Sequence, residues 1–183
     1  MNTTLKSIQK QFTYYQQLGE KTFAQLPEES LFWQANEESN SIAHLVQHLS
    51  GNMLSRWTDF LTTDGEKEWR NREEEFRPNL TTKTEVIEQW NKGWNCLHKA
   101  LESMSDVDLE KEIFIRNMGH TVIEAIHRQL AHYAYHIGQI VFIGKLIRNE
   151  QWETLSIPKG ASEDYNKEKF SKPRRTEHFT NDL

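Results

Sequence analysis

Two pairs of histidines at four-residue spacing carry the chemistry this sequence offers. One pair lies in His132-Tyr133-Ala134-Tyr135-His136-Ile137-Gly138-Gln139-Ile140, and the other, His44 and His48, lies far upstream. On a helix, residues four apart stand one above the other on one face, so each pair can turn two imidazoles toward a single ion. Neutral imidazole suits zinc, nickel, copper or iron. A fold that brings the two segments together can therefore build a three- or four-histidine centre. His132 and His136 also stand among Leu130, Ala131, Ile137 and Ile140. A histidine in apolar company needs a polar partner, and a metal ion is an efficient one.

Other chemistries find less support. The residue after His132 is Tyr133, so the H-E-x-x-H pattern of zincin proteases is missing. Glu124 and His127 give one Glu-x-x-His pair without a second, which argues against a di-iron carboxylate centre. Cys96 is the single cysteine, so no intramolecular disulfide can form, which fits a reducing cytoplasm. It falls in the apolar register of Trp90, Trp94, Leu97 and Leu101 and reads as a buried, inert thiol. Tyr14, Tyr15, Tyr133 and Tyr135 could donate hydroxyls, but core packing is their better reading. The run Arg72-Glu73-Glu74-Glu75 reads as a solvated charged face and not as a carboxylate site. A formal net charge of -5 argues against a nucleic-acid partner, and Lys172, Arg174 and Arg175 read as a solvated tail. No apolar run approaches the roughly 20 residues that span a bilayer. The polar N-terminal stretch lacks the apolar region of a signal peptide.

Four segments with helical periodicity must position the histidines. The first runs over about 3–26, with Leu5, Ile8, Phe12, Tyr15, Leu18, Phe23 and Leu26 on one side. Leu31 to Ala35 is too short for a helix and reads as a packed linker. Ser39 or Asn40 then caps a second helix over about 40–62. The polar stretch from Thr62 to Leu80 makes a long crossover loop. Thr82 and Glu85 have capping-box spacing for a third helix that ends near Met104. Glu112 to Arg116 alternates as a short extended piece, and Gly119 precedes a fourth helix over about 120–149. The expected fold is all-α, a four-helix bundle with a long crossover connection over residues 1–150. A polar tail over 151–183, partly packed on the bundle and mobile at its end, completes the chain. Bundles build metal sites in their cores from side chains on facing helices.

At these residues the chain resembles the DinB/YfiT-like superfamily of bacterial four-helix-bundle proteins. Leu31-Phe32-Trp33, followed by Asn40-Ser41-Ile42-Ala43-His44-Leu45-Val46-Gln47-His48-Leu49, resembles the family's entry into its second helix. His132-x-x-x-His136-x-Gly138-Gln139-Ile140 resembles its fourth-helix signature. The closing Trp152 to Gly160 is similar to a branch without an assigned function. The resemblance implies a divalent metal, zinc or nickel foremost and iron or manganese otherwise, held by His48, His132 and His136 with positions left open. It leaves His44 as a helix-surface residue or a support for the ligands, and gives His98, His120, His127 and His178 no role. Gln139 would line the pocket and orient a ligand, and Lys159 could fold over its mouth.

Three neutral histidines with open positions suit catalysis better than a closed structural site. Relatives of this kind imply a thiol-dependent S-transferase acting on small electrophiles in stress or detoxification, with a low-molecular-weight thiol such as bacillithiol. A hydrolase using metal-bound water is the alternative. A non-catalytic metal-binding or stress-response bundle is a third reading, of a different class. The absence of a well-spaced carboxylate near the histidines favours the thiol. Exposed apolar side chains on the first and third helices would suit a homodimer, and the other partner is a small-molecule substrate.

Overall fold

The computed structural model describes residues 3–182, so Met1, Asn2 and Leu183 lie outside the described residues. Four long helices form where a starting side chain takes up free backbone N–H groups and an apolar stripe follows. α1 (Thr4–Ala24) is capped by the Thr3 hydroxyl, which accepts from Lys6 N, and buries Leu5, Ile8, Phe12 and Phe23. α2 (Ile42–Trp57) starts at Ser41, slightly later than the sequence suggests. There the Ser41 hydroxyl accepts from His44 N at 3.2 Å while the His44 ring accepts from Ser41 N at 3.3 Å. α3 (Lys83–Glu102) and α4 (Val122–Arg148) start on capping boxes made by Thr82 with Glu85 and Thr121 with Glu124.

α2 and α4 are both shorter than their periodicity predicts. α2 stops at Trp57 because the chain turns at Asp59, which takes a φ of 47° and accepts from Thr62 N and Thr63 N. α4 loses its first residues to a hairpin. β1 (Glu112–Ile115) pairs antiparallel with β2 (Met118–Thr121), so Gly119 belongs to a strand and does not lead into the helix. The two-residue turn between them, Arg116-Asn117, has φ of 56° and 58°, the left-handed pair that a tight hairpin of this kind requires. Short 3-10 turns occupy Glu28–Phe32, which overlaps the expected linker only at Leu31 and Phe32, and Glu73–Phe76, within the crossover.

The first four helices each pack against two of the others: α2 on α3 and α4, and α1 on α4 and α3. Phe12, Leu45, Leu49, Met53, Trp90, Trp94 and Tyr133 fill the space between them. Gly93 lets α2 and α3 close, since a Cβ there would stand 2.8 Å from Ser50 Cα. The crossover segment around Glu73–Phe76 packs on α2 as well, so α2 is buried along most of its length. The chain is mostly helical, with one small sheet among the described residues. After α4, Gln25 exchanges side-chain bonds with the Glu153 backbone at 2.8 and 3.0 Å. α5 (Ser162–Phe170) buries nothing, while Phe179 meets Tyr14 at 5.5 Å between ring centroids. No helix among the described residues is long and apolar enough to cross a membrane. Among the described residues of the first four helices, the exposed large apolar side chains lie on α4 (Tyr135, Phe142, Leu146) and at Ile87 of α3, not on α1.

Candidate metal centre

α2 and α4 bring three histidines to one point. His48 Nε2 lies 3.2 Å from His132 Nε2, and His136 Nε2 lies 3.1 Å from the same atom. The three ligand atoms are all within 4.8 Å of one another. Three nitrogens bound tetrahedrally to a zinc ion at about 2.0–2.1 Å would be separated by about 3.3–3.4 Å, and by about 3.0 Å in an octahedral arrangement. The two distances to His132 Nε2 fall between these values. His132 and His136 meet because they are four apart on α4, whereas His48 arrives only because α2 packs on that helix.

The outer nitrogens of the rings decide which form the inner ones take. His48 Nδ1 donates to Glu75 Oε2 at 2.8 Å. Glu75 is held in turn by Arg70, whose Nε and Nη2 donate to its two oxygens at 2.7 and 3.0 Å. His132 Nδ1 faces Gln129 Oε1 at 3.4 Å and so also serves as the donor. With their Nδ1 protons committed outward, His48 and His132 in their neutral forms turn two lone pairs at each other across 3.2 Å. That contact is repulsive until a cation sits between the nitrogens, so the donor set fits a metal ion. His136 Nδ1 is buried and has no hydrogen-bond partner among the described residues.

Electrostatics favour neutral, ligand-competent rings. Burial, with the neighbouring His136 and His48, pushes His132 down to about 3. Burial, again with His48, pushes His136 down to about 4, while the nearby Gln139 side chain works weakly the other way. Burial would raise the Glu75 carboxyl, but its bonds from His48 and Arg70 hold it below the usual range.

Glu75 is the residue that sequence reasoning misplaced. It is not part of a solvated face: its side chain is 7% exposed and carries the contact that orients His48. The spacing of charges in Arg72-Glu73-Glu74-Glu75 could not show this, because Arg70 and His48, the partners that make burial tolerable, come from outside that run. Gly51 makes room for it, since a Cβ added there would land on Glu75 Oε1 and stand 2.8 Å from its Cδ. Phe76 stacks on His48 with ring centroids 4.9 Å apart and has the Arg72 guanidinium over its ring at 5.3 Å.

A pocket of about 490 Å³ opens beside the histidines. Asn52 and Gln129, 5% and 2% exposed, contribute to its wall, as do five arginines: Arg56, Arg70, Arg72, Arg116 and Arg128. They come from α2, the crossover, the hairpin and α4, a spread that local sequence patterns do not reveal.

The remaining predicted residues take other places. Gln139 is half-buried next to His136 and is not among the residues lining this pocket. His44 is buried and caps α2 with its ring instead of lying on the helix surface. His98 bonds Gln16 at 2.7 Å, and His178 bonds Thr180 at 2.8 Å. Tyr133 is core, its hydroxyl accepting from Trp57 Nε1 and donating to Asn52 Oδ1, each at 3.1 Å. Tyr135, in contrast, is exposed beside His136. Glu124 spends its carboxylate on the α4 cap, which removes the Glu-x-x-His pair from consideration. Cys96 is half-buried against Thr58 and Met53.

Comparison with known proteins gives a family model, described as "Protein of unknown function (DUF1572)", that matches residues 1–161. No curated protein and no solved structure matches the chain.

Proposed function

The chain belongs to the DUF1572 family, and we propose that it is a metal-dependent enzyme of the DinB/YfiT-like type, transferring a low-molecular-weight thiol onto a small electrophile. In this reading the first four helices are a four-helix bundle with a long crossover. His48, His132 and His136 hold one divalent ion in its core, zinc or nickel foremost, and the protein acts as a homodimer. The observation that carries the reading is the meeting of three Nε2 atoms, with the lone pairs of His48 and His132 turned toward each other.

A divalent ion held by three neutral histidines, with positions left open, lowers the pKa of a thiol or water that binds it. The protein's own groups supply the rest. Glu75 and Arg70 fix the tautomer of His48, and Gln129 does the same for His132. Asn52 and Gln129 present amides at the pocket wall that can orient an electrophile. In the transfer the thiol gives its proton to solvent, a sulfur–carbon bond forms, and the leaving group departs with its electron pair. A hydrolase would want a carboxylate free to take a proton from water. Glu75 has both oxygens engaged, and no carboxylate lines the pocket among the described residues, which favours the thiol.

Elemental mass spectrometry of tag-free protein, beside a His132→Ala/His136→Ala variant, tests the centre. About one divalent ion per chain, lost in the variant, is expected. Conjugation of monobromobimane should then require both metal and thiol and disappear in His48→Ala. Metal-free wild type with unchanged stability on adding zinc or nickel would overturn the centre. Cleavage of activated esters without any thiol would replace the transferase with a hydrolase.

A further inference from the structure

Building on the reading that the three histidines hold a metal, we infer that the molecule bound beside it is an anion, its carboxylate or phosphate gripped by Arg56, Arg72, Arg116 and Arg128. Five guanidinium groups line the pocket, and no carboxylate does among the described residues. The counter-charges stand behind the wall. Glu66 Oε2 is shared by Arg56 at 3.0 Å, Arg116 at 3.1 Å and Arg70 at 3.5 Å, and Glu75 is taken by Arg70. Five positive groups against these two leave an excess of three, and counting the exposed Glu73 beside Arg72 still leaves two. The chain as a whole carries a formal -5. A positive pocket on a negative protein draws anions inward and concentrates the field where water is partly excluded.

Arg56 and Arg116 differ from an ordinary solvated fringe, and Arg128 and Arg72 are placed to reach the same ligand. Arg56 is only 6% exposed, yet it shares its carboxylate with two other arginines. A guanidinium so buried with a divided counter-ion is under-compensated. Arg128 is exposed, stands one helical turn before His132 on α4 on the same face, and has no hydrogen-bond or ion-pair partner among the described residues, so it is free to meet a ligand. Arg116 holds a φ of 56°, a conformation that glycine or asparagine takes more easily than arginine. The Asp64 carboxylate clamps it there, accepting from Arg116 N and Asn117 N at 2.8 Å each. An arginine kept in an unfavourable backbone state at a pocket lip, where asparagine or glycine would be cheaper, points to use of its side chain. Arg72 is steadied over Phe76, whose ring stacks on His48, which ties the arginine wall to the histidines.

The test is titration calorimetry of the metal-loaded protein with inorganic phosphate and, separately, with succinate, at low and high salt. Wild type should bind at least one probe saturably, and the preference between them tells a phosphoryl ligand from a carboxylate one. Arg128→Ala and Arg116→Gly should each weaken binding at least about tenfold, the worth of one charge-assisted contact. Arg116→Gly should melt at or above the wild-type temperature, because glycine accepts the turn, so its weakened binding is not a folding defect. The metal-free His132→Ala/His136→Ala variant separates the two readings. Arginine-dependent binding that survives there supports the anion wall independently of the metal. No saturable binding of either probe overturns the inference, as does binding that the arginine variants leave unchanged, whatever the metal content proves to be.

Discussion

Replacing Glu75 with glutamine removes one charge and almost no volume, and its consequences can be worked from three bonds. Glu75 accepts from His48 Nδ1 at 2.8 Å and from Arg70 Nε and Nη2 at 2.7 and 3.0 Å. The side chains of Arg70, His48 and Glu75 are 3%, 6% and 7% exposed, so water does little to replace what is lost. A bond to a charged group contributes about 1.5–3 kcal/mol net and a neutral one about 0.5–1.5 kcal/mol. Demoting the three bonds therefore costs on the order of 3 kcal/mol, near the value for a buried ion pair that loses one partner. A second loss falls on the histidine. The amide offers one acceptor and one donor where the carboxylate offered two acceptors. If Arg70 keeps the oxygen, the NH2 group faces His48 Nδ1, which must then accept. The ring proton moves to Nε2, the atom that should bind metal. Zinc affinity is expected to fall by about 10–100-fold, as for other supports of metal-bound histidine. Urea unfolding of metal-free protein measures the first loss, and competition with a chromogenic chelator measures the second. A variant within about 1 kcal/mol of wild type and within about twofold in zinc affinity would refute the claim that Glu75 fixes His48.

Other perturbations probe the same frame. Gly51→Ala should gain about 1 kcal/mol of helix propensity, yet its methyl would displace Glu75, so a chelator titration should find weaker zinc binding; unchanged affinity would contradict this. Tyr133→Phe strands Trp57 Nε1 and Asn52 Oδ1 in the core and should cost about 1–3 kcal/mol in chemical denaturation. Asp64→Ala should speed hydrogen exchange at the Arg116 and Asn117 amides, leaving those of α4 unchanged. Burial with neighbouring rings holds His132 at about 3, and burial holds His136 at about 4, both below the ordinary 6.5. The unfolded chain therefore binds more protons below 6.5. Metal-free protein should be fully stabilised above that pH and lose stability as pH falls toward 3–4. A melting temperature flat across this window would count against the burial of these rings.

Much of this could be read from residue spacing. The two histidine pairs, the Thr82–Glu85 cap and the apolar stripes of α1 to α4 all depend on neighbours within one helical turn. What escaped depends on partners elsewhere. The His44 ring answers a backbone N–H at its own helix start, so the pair it forms with His48 is one ligand candidate and one cap. Glu75 looked like its neighbours Glu73 and Glu74, and only the packing of the crossover on α2 distinguishes it. The hairpin was half visible: Glu112 to Ile115 alternates, but Met118 to Thr121 is short, glycine-containing and contiguous with a helix, and only pairing makes it a strand. The arginine wall draws one or two residues from each of four elements, which no single window of sequence contains.

The ligand atoms also differ in how soon a folding chain can bring them together. His132 and His136 become neighbours as soon as one turn of α4 is helical, an event on the timescale of local helix formation. His48 is 84 positions from His132 and joins only when α2 docks. Glu75 follows from a segment 27 positions beyond His48. Closing these larger loops costs entropy before any contact repays it. An ion in the surroundings would therefore meet a weak two-nitrogen grip first and the three-nitrogen one late, after most of the core has formed. Metal should then slow unfolding far more than it speeds folding, which makes the centre a lock on the finished structure and not its nucleus.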